Sequence, residues 1–131
     1  MELLNVLAAA AGAYVFGAVW YMSLSKAWMA VSGVAVGPDG RPANGSSPMP
    51  YVTGFLAMVV VAGMMRHIFA MSGIDTVGKG IVAGLGIGAF FVMPFLAMNY
   101  AFAMRSPKLT LIDGANATIA CAIMGAILML F

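Results

Sequence analysis

Hydrophobic positions in this chain come in long, nearly unbroken runs. They show neither the three-and-four spacing of a half-buried helix nor the alternation of a half-buried strand. Four runs meet the roughly 20 apolar residues that carry a helix across a hydrocarbon layer about 30 Å thick: about 3–22, 51–71, 80–104 and 111–131. Hydrocarbon offers no partner to backbone amides, so each run is expected to be helical and to satisfy its own hydrogen bonds. The expected fold is all-α: a polytopic membrane protein, a bundle of four transmembrane helices in a single domain over residues 1–131. The first run contains small residues at signal-like spacing. Its only preceding charge is Glu2, not a basic leader, and it is read as a permanent helix.

The polar punctuation is short. "SGIDTVGK" joins the second and third runs and "RSPKLT" the third and fourth, so consecutive helices should be antiparallel neighbours. The exception is residues 32–50, "SGVAVGPDGRPANGSSPMP", dense in residues that build turns and block helices. It reads as a long, partly mobile loop, preceded by a short amphipathic stretch from Lys26 to Val31 lying along the membrane interface.

Composition agrees. The chain is 63% hydrophobic and 8% charged, against roughly 25% charged residues in soluble proteins. A net charge of +2 without a basic stripe excludes a nucleic-acid partner. Cys121 has no second cysteine and reads as a small packing residue. Lys26, Arg41, Arg105 and Lys108 flank the spans on one side, with Lys79 on the other and Arg66 inside its span. The enrichment of cations on the cytoplasmic side then places both termini outside. Trp20, Tyr21 and Trp28, with apolar rings and one polar edge each, and Lys26, with a long stem, are expected to anchor the first helix where it leaves the membrane.

Two segments carry a resemblance. "VFGAVWYMSLSKAWM", Val15 to Met29, followed by Ser32-Gly33, resembles the opening of the bacterial domain of unknown function 1761 family, where Gly-x-x-Trp-Tyr and a later Lys-Ala-Trp close the first helix. "LTLIDGANA", Leu109 to Ala117, is similar to the Leu-Ile-Asp-Gly element opening that family's last helix. The resemblance implies a small multi-helix protein of the bacterial cytoplasmic membrane and brings no reaction with it.

Helices in lipid are held by small residues and polar contacts, because burying apolar surface gains nothing there. Gly80, Gly84 and Gly88 make the smoothest face, with Asn99 expected near it to hydrogen-bond across the contact. Ala9, Ala13 and Gly17 repeat the device in the first span, and Ala117, Cys121 and Gly125 in the fourth. These faces either pack within the chain or join a second copy or another subunit. Pro94 removes the hydrogen bond to the Phe90 carbonyl and should bend the third span, as a fixed kink or a gating hinge. Arg66 and His67 lie about one turn from the end of the second span. Arg66 either snorkels or pairs with Asp75, the alternative being a ligand or proton-relay role. Asp113 is expected to cap the fourth helix or pair with Arg105 and Lys108, the alternative being cation binding or proton uptake.

No enzyme signature is present. There is one histidine, no phosphate loop, and "GLGIG" at 84–88 lies inside a span. The thirteen methionines are gap-fillers, not a copper cluster. The sequence therefore reads as a non-enzymatic helix bundle without metal or cofactor, admitting a bound lipid. It would act as an assembly module, self-associating or serving as an accessory subunit. The second reading is a small-solute or ion transporter or channel formed on oligomerisation, with Arg66, His67, Asn99 and Asp113 on its path.

Overall fold

A computed structural model describes residues 2–131. Its helices are α1 (Glu2–Ser23), α2 (Ser25–Ser32), α3 (Met49–Ser72), α4 (Val77–Gly86), a π-helical segment (Ile87–Val92), α5 (Met93–Phe102) and α6 (Pro107–Leu128). The α4–π–α5 run is continuous, so four helices are long and apolar enough to cross a membrane. The molecule is the four-helix membrane bundle that its hydrophobic pattern implies.

Local chemistry sets the ends. Pro50 lies in the first turn of α3 and Pro107 opens α6, positions whose amides have no helical acceptor to lose. Thr76 caps α4 by accepting from the Lys79 amide at 3.2 Å. Ser106 caps α6 by accepting from the Lys108 amide at 3.2 Å, so α6 starts a turn earlier than the apolar run. Gly73, at φ 69°, ends α3, and the next amide, Ile74, donates back to the Phe69 carbonyl at 3.0 Å, closing the exposed last turn. The connection from α2 to α3 contains a tight turn around an isolated Val36–Pro42 bridge, closed by the Gly37 amide donating to Arg41 and the Ala43 amide to Ala35, both at 2.7 Å.

Helix α6 is the centre. It packs against α1 on one side and against α4, the π segment and α5 on the other, while α3 leans mainly on α1. The α1–α3–α6 core consists of Ala9, Ala10 and Ala13, of Ala62, Met65 and Phe69, and of Ala120, Cys121, Met124 and Leu128. Large side chains such as Val60, Phe90 and Phe102 point outward, toward lipid.

The α4–α6 contact is backbone on backbone. A Cβ on Gly84 would collide with the Cys121 carbonyl, one on Gly80 with the Gly125 carbonyl, and one on Gly88 with Thr118 Cα. Gly125 returns the fit, since its own Cβ would strike the Gly80 carbonyl. The smooth face is thus covered within the chain, and of the two roles open to it in the sequence it has the internal one. Ala117 lies on the same contact through its carbonyl, close to Gly88.

The third span departs from a simple proline kink. The irregularity precedes Pro94 as the π turn, where Met93 donates to the Gly88 carbonyl five residues back. The wide turn absorbs one extra residue and rotates everything after it by about 100°. Asn99, expected on the glycine face, is exposed, and Leu96 and Tyr100 turn inward instead.

These contacts predict a sharp contrast between glycines. Gly84→Leu should destabilise the bundle by about 3 kcal/mol, because rigid backbone cannot yield to the added side chain. Gly86, with open space where its Cβ would be, should accept alanine with no loss or a gain of about 0.5 kcal/mol. Thermal unfolding in detergent, followed by circular dichroism, measures both.

Candidate functional site

The two polar segments that stand out in the sequence, Trp20-Tyr21 and Leu111-Ile112-Asp113-Gly114, meet. Trp20, near the end of α1, donates its indole N–H to the Ile112 carbonyl of α6 at 3.0 Å. One residue on, the Tyr21 hydroxyl donates to Asp113 Oδ1 at 2.6 Å. From the opposite side, the Tyr100 hydroxyl of α5 donates to Asp113 Oδ2 at 2.5 Å. One carboxylate accordingly ties three helices together, with each oxygen accepting a phenol proton. Such charge-assisted bonds are about twice as strong as neutral ones.

Neighbouring residues shape the centre. Gly114 admits the Met93 side chain, which a Cβ there would meet at 2.8 Å. Trp28 of α2 folds back edge-on to Tyr21, ring centroids 5.9 Å apart, while Lys26 stays exposed. Asn116, one turn deeper than Asp113, has a buried Oδ1 without a hydrogen-bond partner. Trp20 and Tyr21, expected as interface anchors, are hydrogen-bonded into the bundle. Asp113 is not a cap: it lies six residues after Pro107, and the Ser106 side chain does the capping. Neither Arg105 nor Lys108 pairs with it, the only ion pairs among the described residues being Arg66–Glu2 and Lys79–Asp75. The Arg105 guanidinium instead lies over Gly33.

A second polar centre occupies the opposite end. Asn5 is 1% exposed. Its Nδ2 donates to the Ile127 and Leu128 carbonyls at 3.3 Å each, two acceptors in the last turn of α6. Its Oδ1 accepts from Arg66 Nη1 at 2.5 Å, and Arg66 Nη2 lies 3.8 Å from Glu2. The expected Arg66–Asp75 pair is absent, because Asp75 bonds Lys79 one turn on at 3.2 Å. His67 is exposed on the same rim. Of the four residues placed on a shared path by the transporter reading, Arg66 and His67 lie at one end, Asp113 at the other, and Asn99 faces outward. The remaining small-residue positions have plain surroundings: Ala9, Ala13 and Cys121 are in the core, and Gly17 faces Asn116 Oδ1.

Two participants escape sequence reasoning. Tyr100 is hidden because the π turn moves the inward face by one residue. Asn5 looks like one scattered amide among several, and only the fold brings it to Arg66 and the end of α6.

The architecture and its two centres define a multi-pass helical membrane protein whose polar groups lie near the ends of its spans. The chain belongs to the family described as a protein of unknown function (DUF1761), whose model matches residues 4–129. No curated protein and no solved structure matches it.

The Asp113 centre predicts a graded response. Tyr21→Phe and Tyr100→Phe should each destabilise the bundle by about 1–2 kcal/mol, between the membrane and charged hydrogen-bond ranges. The double variant should lose more than the sum, because the carboxylate is then left unpaired, and adding Asp113→Asn should recover part of that loss. His67→Ala should change stability by less than about 0.5 kcal/mol. A double-mutant cycle on unfolding in mixed micelles checks all of these.

Proposed function

We propose that this chain is a membrane assembly module of the bacterial cytoplasmic membrane, acting by docking against a second copy or another membrane subunit. It has no enzymatic role in this reading. The observation that supports it is the apolar core between the two polar centres. Ala9, Ala10 and Ala13 pack there against Met65, Phe69, Cys121 and Met124. A solute path needs polar groups or water along its length, and the side chains of this core are apolar.

Action then falls to the outer surface. The Gly80–Gly84–Gly88 face is already covered by α6, so docking uses another one. Among the membrane-spanning helices α3 is the most weakly held, and it exposes the row Val52, Leu56, Val60 and Met64 at helical spacing; we assign the partner to this row. The cation excess beside Lys26, Arg41, Arg105 and Lys108 supports a cytoplasmic location for that end, with both termini outside.

The test uses a Cys121→Ala background carrying a single cysteine at Val60 or at Phe95, oxidised in native membranes. The expected outcome is a covalent dimer from position 60 and none from 95, or a stoichiometric membrane subunit that co-purifies in mild detergent. A chain that stays monomeric and alone overturns the proposal. Proteoliposomes should pass protons and small ions no faster than lipid alone; flux clearly above that level would overturn it as well.

A further inference from the structure

A groove of about 740 Å³ opens between α3 and the end of α6, floored by α1. We infer that it holds a phospholipid whose headgroup carries a phosphodiester and a primary ammonium, with the start of one acyl chain lying along the groove. The groove does not use the exposed row of α3, so this inference and the assembly reading can fail separately.

Its size lies within the range of about 300–1,000 Å³ typical of small-molecule sites. Val6, Val59 and Leu128 line its apolar part, a wall chemically continuous with the surrounding hydrocarbon. Arg66, Glu2 and Asp75 lie along the same groove. Arg66 is a built element: its guanidinium is fixed by Asn5, itself buried and held by two α6 carbonyls. A guanidinium has five N–H donors, and Asn5 takes one. Its ion-pair partner, Glu2, is 3.8 Å away and 82% exposed, so the pair is weakened by solvent and leaves Arg66 N–H donors, six residues inside the end of α3, open to a further acceptor.

Charge selects the headgroup. Arg66 offers the planar fork that phosphate oxygens match in pairs. Glu2 and Asp75 offer acceptors on the same rim, with Lys79 contacting Asp75 through Oδ1. Arg66 and Lys79 alternate with Glu2 and Asp75 along this rim, and the carboxylate oxygens turned away from those two cations are the acceptors left for an ammonium attached to a phosphate held by Arg66. A choline head has no N–H to donate, and a glycerol head brings no positive charge to the carboxylates.

The experiment delipidates the full-length protein in mild detergent and offers equal phosphatidylethanolamine, phosphatidylglycerol and phosphatidylcholine of matched chains, read by native mass spectrometry. Phosphatidylethanolamine should be retained several-fold over either competitor. Arg66→Gln should cut its retention about tenfold, the equivalent of one charge-assisted hydrogen bond. Glu2→Gln with Asp75→Asn should erase the preference for ethanolamine over choline. Should Arg66→Gln fail to fold, Val59→Trp fills the groove while leaving Arg66 and Asn5 in place, and it too should cut retention. Equal retention of the three lipids, a preference for phosphatidylglycerol, or undiminished retention in Val59→Trp overturns the inference.

Discussion

The close approach of α4 to α6 is the contact on which the rest of the structure depends. Between lipid-facing helices there is no gain from removing apolar surface from water, so adhesion must come from atoms in van der Waals contact and from polar groups with nowhere else to bond. Gly80, Gly84 and Gly88 supply the first by letting α4 lie on the carbonyls of α6. With α6 fixed against α4, its other side receives α1, and α1 in turn receives α3. The order of helices around α6 follows from which faces are smooth enough to bring two backbones together.

The polar centres finish what the glycines begin. Each sits near one end of the α1–α6 pair and recruits a third helix: Asp113 reaches α5 through Tyr100, and Asn5 reaches α3 through Arg66. Apolar packing alone would leave the helices free to slide or rotate at little cost, since one greasy surface resembles another. Hydrogen bonds at both ends of the pair fix register and rotation together.

Much of this was legible in the sequence, for a physical reason. Span number follows from hydropathy because lipid imposes a length and demands internal hydrogen bonding, and four helices are what the chain forms. Family membership was visible in Trp20-Tyr21 and Leu111-Ile112-Asp113-Gly114. The partners of the charged groups were not. Asp113 looked like a cap because it follows a polar turn, yet Pro107 and Ser106 begin the helix earlier. Arg66 looked ready for Asp75, which lies nearer in the chain, but Asp75 immediately precedes the cap of α4 and finds Lys79 in the first turn of that helix. Asn99 was misplaced by one residue, because an ideal helical period was carried through a π turn that hydrophobic periodicity does not register.

That wide turn bears on how related sequences should be aligned. It acts as a single-residue insertion confined between Ile87 and Val92 and absorbed without breaking the span. A family member whose third helix is regular throughout would have to carry its phenol one place earlier to meet the same carboxylate. The spacing from the last close-packed glycine to that tyrosine therefore reports, from sequence alone, whether a given homologue retains the bulge.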